Sequence, residues 1–320
     1  MKNKLLLINL SILSLLTSCG NVKVVEKQFF SFSTLFELKA YNTEEENLYK
    51  IEALINKYSK LFDGFNSYSN INNIYTINNT NEEVVIDEKL YEALKFADEY
   101  YFKSEKYFNP YIGELTFSYK EAFKNNKLPE KKEIESALIN LKDFNLEFND
   151  LNKSVKRNGN SKIDLGAFAK GYTLNKVNEL VNELNIKHYF INAGSSSSYF
   201  SSKPNDEPFK ASLRYFTNKG IKVKNTSVGI SSIFEQYVEI NNKIYSHIIN
   251  PFTGESKVYY DFSIVETKDS MISDVFSTVL MLLDDKKMIE KFSQEFNFSY
   301  VLFKDDKEIY SSNDIEIINL

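Results

Sequence analysis

Tryptophan is absent from these 320 residues, cysteine occurs once, histidine twice, and proline and glycine number only 5 and 10. A single cysteine excludes an intramolecular disulfide and any cysteine-built metal centre. So little glycine and proline excludes collagen-like and low-complexity classes. Neither sign of charge dominates: 39 Lys+Arg face 44 Asp+Glu, for a net charge of −5 and a pI near 5.4, so no nucleic-acid partner is expected. Past the first residues no apolar run is long enough to cross a bilayer as a helix. What is abundant is core material, 42% hydrophobic with 21 Tyr and 26 Phe, which excludes disorder as the general state. The length suggests about two lobes.

Lys2 and Lys4 precede an apolar run over residues 5–16, too short to span a bilayer but suited to a signal-peptide core. Leu16-Thr17-Ser18-Cys19-Gly20 then resembles the lipobox of bacterial lipoproteins. That resemblance implies removal of residues 1–18, a diacylglycerol on the Cys19 thiol and a further acyl chain, such as palmitate, on its new amine. Two or more chains anchor stably where one binds only marginally. An ordinary secretory signal with an incidental cysteine is the alternative. Either way the remainder is expected outside the cytoplasm, with residues 19–27 as a tether and 28–320 as the folded domain.

Alternation over residues 30–38 predicts a strand. Thr43 with Glu46 has the spacing of a capping box, and Leu48, Ile51, Leu54, Ile55, Tyr58 and Leu61 recur at helical spacing. Residues 63–80, rich in Asn, Ser and Tyr, are expected to form an ordered loop. Helices are predicted over 87–103 and 130–141, and a hairpin pairs 146–148 with 154–156. Residues 162–165 are expected as a strand entering a helix near Ala167. Further strands are predicted over 189–192, 209–213, 236–240, 243–248 and 262–267, with a helix over 270–283, another short helix and a closing hairpin of 300–303 with 308–311. Successive strands joined by short turns predict a mixed α+β fold, a sheet-and-helix domain with a smaller helical and loop lobe.

Four segments gather carboxylate, hydroxyl, glycine and histidine where strands end. In Asp164-Leu165-Gly166-Ala167-Phe168-Ala169-Lys170-Gly171-Tyr172, a helix start beside a lysine suits phosphate, although Gly166 could simply turn the chain and Asp164 cap the helix. Asn192-Ala193-Gly194-Ser195-Ser196-Ser197 would let a ligand approach the backbone, or is only a turn. His247, in His247-Ile248-Ile249-Asn250-Pro251-Phe252-Thr253-Gly254, is either functional or a packed imidazole, whereas His188 has no turn chemistry around it and is taken as structural. Asp274 and Thr278 lie one helical turn apart, able to offer oxygen to one cation, or else Asp274 caps its helix and Thr278 bonds back to the preceding turn.

In this order the motifs resemble the FAD:protein FMN transferases, the ApbE-type flavin transferases, many of which are lipoproteins. The resemblance extends back through Phe62-Asp63, Ser67-Tyr68 and Phe108-Asn109-Pro110-Tyr111-Ile112-Gly113-Glu114-Leu115. It implies transfer of FMN from FAD to a Thr or Ser hydroxyl of a target flavoprotein in an extracytoplasmic electron-transfer system, with release of AMP. It implies Mg²⁺ on the carbonyl of Ala167 and the side chains of Asp274 and Thr278, and FAD contacts from Phe32, Tyr119, Asp164, Lys170 and Ile249. Beside the resemblance, a neutral imidazole suits proton transfer near neutral pH, so His247 is expected to be the catalytic base that accepts the proton of the incoming hydroxyl. Departures from the pattern are Ser195-Ser196 for Gly-Asp, Ile230-Ser231-Ser232 for Thr-Ser-Gly, Asn175 for Asp and Phe32 or its neighbour for an adenine-packing Met. An FAD pyrophosphatase yielding FMN and AMP, a non-catalytic FAD-binding lipoprotein and a surface adhesin are the rival functions.

Overall fold

The structure, a computed structural model, describes residues 22–194, 196–216 and 218–320. The signal segment, Cys19 and Ser195 lie outside the described residues. Strands β1 (Val24–Ser31) and β2 (Thr34–Tyr41) form a hairpin whose two-residue turn, Phe32-Ser33, has φ of 49° and 56°. Such a turn matches the twist of the flanking strands. The single strand expected over 30–38 is thus split, and β1 begins inside the segment read as tether. As an edge strand with half of its residues exposed and only Phe29 and Ser31 buried, β1 carries too little apolar alternation to announce itself.

Helix α1 (Glu45–Leu61) buries Leu48, Ile51, Ile55, Tyr58 and Leu61 as its spacing predicts. Its expected capping box does not form: Glu44 is the N-cap without a side-chain bond, and Thr43 Oγ1 accepts from Asn47 Nδ2 at 2.9 Å. The expected loop over 63–80 contains α2 (Ile74–Asn78), closed by reciprocal bonds between Asn73 and Thr76. There follow β3 (Val84–Val85), α3 (Glu88–Lys103), α4 (Gly113–Lys124), α5 (Lys131–Lys142), β4 (Asn145–Asn149) and β5 (Ser154–Asn158), with β3-β5-β4 forming a small sheet. Helix α6 (Ala169–Glu183) starts later than the sequence suggests, and residues 162–165 are not a strand; only an isolated Ile112–Lys162 bridge forms there.

The second half supplies β6 (His188–Ala193), β7 (Ser197–Phe200), β8 (Phe209–Ser212), β9 (Lys219–Val223), β10 (Thr226–Ser232), β11 (Tyr237–Ile240), β12 (Lys243–Ser246) and β13 (Phe262–Thr267). Helices α7 (Ser270–Met281) and α8 (Lys286–Glu295) precede β14 (Ser299–Lys304), β15 (Lys307–Ser311) and β16 (Ile317–Asn319). Eight strands make one antiparallel sheet in the order β1-β2-β6-β7-β10-β13-β14-β15, the mixed α+β class expected. Its two faces follow from strand alternation. Phe190, Val228, Phe262, Ile264, Val301 and Phe303 pack beneath the small sheet β16-β9-β8. Their neighbours Val265, Tyr300 and Leu302 join the core with α7 and α8, while Ile191 and Ala193 pack with α1 and α6.

On β10 the helix-facing positions are Ser227, Gly229 and Ser231. A Cβ on Gly229 would stand 2.0 Å from the carbonyl oxygen of Ser273, so α7 can approach this strand only because glycine is there. A Cβ on Gly171 of α6 would likewise lie 2.3 Å from the Ser270 carbonyl oxygen and 2.6 Å from Asp274 Cβ. Helix α7 is therefore wedged between β10 and the first turn of α6. Among the described residues no helix is long and apolar enough to cross a membrane.

Candidate active site

The segment before α6 is held by side chains in place of a sheet neighbour. Asn78 donates to the Ile163 carbonyl at 2.8 Å and accepts from the Ile163 N–H at 2.7 Å, and the Asp164 N–H reaches the Pro110 carbonyl at 2.8 Å. Asp164 Oδ1 accepts from the Gly166 N–H at 2.8 Å and Oδ2 from the Thr116 hydroxyl at 2.6 Å. The carboxylate thus shapes the turn as well as lining the cleft. Lys170, in the first turn of α6, has no carboxylate within ion-pair distance among the described residues.

Asp274 is 4% exposed, and its two oxygens have donors from different elements: Gly171 N–H on Oδ2 at 2.8 Å and the Ser197 hydroxyl on Oδ1 at 2.5 Å. It does not cap α7; Asp269 does, accepting from Met271 and Ile272 N–H. Nor does Thr278 bond back to the helix, since its Oγ1 meets Ser231 Oγ at 3.0 Å. Both structural alternatives for this pair are therefore excluded. The Gly171 bond has a further consequence. In a continuing helix that N–H would serve the carbonyl four residues back, Ala167. It goes to Asp274 instead, and no backbone N–H among the described residues takes the Ala167 carbonyl.

His247 follows β12 and donates from its backbone to the Gln236 carbonyl at 2.9 Å, with Nδ1 3.2 Å from the same oxygen. A carbonyl only accepts, so Nδ1 carries the hydrogen and Nε2 keeps its lone pair. Burial pushes the imidazole below its ordinary value; Glu235 opposes the shift, and Lys170 adds to it. The Asn250-Pro251-Phe252-Thr253-Gly254 stretch is a closed turn: Asn250 Oδ1 accepts from the Phe252 and Thr253 N–H groups, and Gly254, at φ +69°, donates to the Asn250 carbonyl. Beneath it Ile249 packs with Leu115 and Tyr119, and burial raises the Tyr119 phenol, whose oxygen accepts from the Ser256 N–H.

Phe32, Tyr119, Asp164, Ala167, Lys170, His247, Ile249, Asp274 and Thr278 all line one cleft of about 1140 Å³. That exceeds the roughly 300–1,000 Å³ usual for small-ligand pockets and leaves room for a dinucleotide. The Asn-x-Gly segment is not part of it in the way expected. Gly194, at φ +69°, makes room for Thr34: a Cβ there would lie 2.1 Å from Thr34 Oγ1. Only Ser196 of the described residues in that segment lines the cleft. His188 stands apart, its Nδ1 on the Ser202 carbonyl at 3.1 Å.

A family model, that of the ApbE family, matches residues 32–302. The chain belongs to the ApbE family. The FAD:protein FMN transferase of Chlamydia pneumoniae is 25% identical over 256 residues, covering 77% of this chain and 79% of that protein. The enzyme of the same name from Klebsiella pneumoniae is 21% identical over 282 residues, covering 86% and 88%. Among solved structures, the ApbE protein of Thermotoga maritima superimposes with a TM-score of 0.81 at 22% identity, covering 91% of this chain and 97% of that one. The apo flavinyl transferase ApbE of Pseudomonas stutzeri gives 0.77 at 15% identity, covering 93% and 97%.

In this ApbE chain Asn78 and Thr116 carried no sequence signal, and Ser197 and Ser231, though inside segments singled out from the sequence, had no assigned role. Asn78 and Thr116 fix the Asp164 turn, and Ser197 and Ser231 hold Asp274 and Thr278. The partner of each lies 47 to 85 positions away, beyond the reach of local pattern.

Proposed function

We propose that this chain transfers the FMN half of FAD to a Thr or Ser hydroxyl of a target flavoprotein, releasing AMP, in a reaction that depends on Mg²⁺. The observation that carries the proposal is the convergence of the α6 start, α7 and His247 on one cleft in a chain of the ApbE family. Mg²⁺ takes oxygen ligands and keeps part of its shell for substrate phosphates. The donors here suit it: among the described residues, a carboxylate with each oxygen engaged only once, a hydroxyl and a carbonyl with no backbone donor. Asp274, Thr278 and Ala167 would hold the ion, which when bound supplies Lewis-acid neutralisation of the diphosphate.

The protein's own groups do the rest. Lys170 offers a cation beside the helix start, where anionic oxygens are favoured. Ile249 and Tyr119 present apolar surface, and Phe32 an aromatic face in place of a methionine. His247 Nε2 takes the proton of the acceptor hydroxyl as its oxygen bonds to the FMN phosphorus; the bond from that phosphorus to the bridging oxygen breaks, and AMP leaves with that oxygen. Outside the cleft, Cys19 anchors the chain to the outer face of a membrane through its lipid, near extracytoplasmic electron-transfer flavoproteins. A Cys19→Ala chain, released from membranes where the natural one is retained, supports that anchor, and equal retention of both refutes it.

One assay tests the activity: purified protein, FAD, Mg²⁺ and a candidate acceptor, resolved on a denaturing gel. A fluorescent acceptor band with matching AMP supports transfer. Free FMN and AMP without labelling would make the chain a pyrophosphatase, and tight FAD binding without AMP would make it a carrier.

A further inference from the structure

The Thr278 hydroxyl belongs to a chain of buried hydroxyls whose proton order is fixed by its far end. Ser277 Oγ lies 2.9 Å from the carbonyl oxygen of Asp274, and a carbonyl only accepts, so the one proton of Ser277 is committed there. Ser231 Oγ on β10 stands 2.9 Å from Ser277 Oγ and 3.0 Å from Thr278 Oγ1. Because Ser277 already donates elsewhere, Ser231 donates to Ser277. With its own proton used, Ser231 can only accept from Thr278. The Thr278 proton therefore points to β10, and its lone pairs are left for the cleft it lines. Ser231 is 7% exposed and Ser277 1%, so bulk water does not compete for these bonds.

We infer that Ser231 is a positioning residue that fixes the Thr278 hydroxyl as an oxygen donor toward a divalent cation. The inference rests on the proposed function, which assigns that cation to Asp274 and Thr278. A hydroxyl whose hydrogen faced the cleft would repel a cation; one held by Ser231 presents only oxygen. The close approach of β10 and α7 at Gly229 is what brings the two hydroxyls within bonding distance. Partners of this kind, one bond behind a ligand, commonly change metal affinity by roughly 10–100-fold.

The test is titration of Mn²⁺ alone into the full chain, counting free ion by electron paramagnetic resonance, for the natural protein, Ser231→Ala, Thr278→Val and the double variant. Ser231→Ala should weaken Mn²⁺ binding by roughly 10–100-fold. In the Thr278→Val background the same change should do nothing further, because Ser231 acts through Thr278. Equal losses in both backgrounds, or unchanged affinity in Ser231→Ala, would overturn the inference. Should the alanine variant not fold, Ser231→Cys, close in size but a weak hydrogen-bonding partner, is expected to show the same loss, and natural affinity there would overturn the inference as well. A natural chain that binds no Mn²⁺ would sink the metal pair itself, and the inference with it.

Discussion

His247 is the residue whose surroundings speak most directly to chemistry. Its Nδ1 hydrogen is committed to the Gln236 carbonyl, and burial holds the ring below its ordinary value of 6.5. The neutral form, the one able to take a proton, therefore persists to lower pH than for a free imidazole. Transfer should rise with pH through a midpoint below 6.5 and then level off, and a rising limb centred above 6.5 would contradict the base role. The stability consequence has the same direction. The unfolded ring binds its proton at higher pH than the folded one, so its contribution is complete above the ordinary value and is lost as pH falls toward the depressed folded value. Replacing His247 with Ala should abolish labelling while FAD still binds, checked by titrating FAD fluorescence. At this scale Asp164, Lys170, His247, Asp274 and Thr278 were legible through the resemblance of their ordered motifs to a known family, since each residue alone left a structural reading open. Ser197 and Ser231 were not, because serine is common and its role comes from a partner on another element.

The elements that bear the site are set by small residues as much as by apolar ones. Phe276 on α7 is fully buried against Phe292, Phe296 and Phe298, whereas the strand-facing side of the same helix carries Ser273 and Ser277. Phe276→Ala should cost about 3–5 kcal/mol of stability, read from the urea midpoint. Gly171→Ala tests the other contact. Its new methyl would meet the Ser270 carbonyl at 2.3 Å, so α6 and α7 must separate, at about 1–3 kcal/mol or more. The same separation should remove the Gly171–Asp274 bond and with it most transfer activity; an alanine variant of natural stability and rate would contradict the wedge. These small-residue seams also explain which elements escaped the sequence. Strand β10 reads Thr-Ser-Val-Gly-Ile-Ser-Ser, and its inward face lacks the apolar residues that make a strand visible. Helix α1 and strand β13, whose buried faces are apolar, were visible from pattern alone.

Across the whole molecule, the sheet brings together groups that the chain separates widely. Ala167 and Lys170 sit at the start of α6, Asp274 and Thr278 on α7, and His247 after β12, all facing one cleft. The mixed α+β class was readable from short-turned strands, whereas the order of strands in the large sheet was not, because the pairs β2/β6, β7/β10 and β10/β13 join strands that are not consecutive in sequence. What joins the parts is the bond from the Gly171 N–H to Asp274, which ties the two helices and leaves the Ala167 carbonyl without a backbone donor among the described residues. The most direct measurement is the Mg²⁺ dependence of covalent flavin labelling and AMP release, in the natural chain and in Asp274→Ala, with FAD and acceptor saturating. The account predicts that both products rise together with Mg²⁺ in the natural chain and that neither forms in the variant at any Mg²⁺ concentration. Labelling by Asp274→Ala with an unchanged response to Mg²⁺ would contradict it.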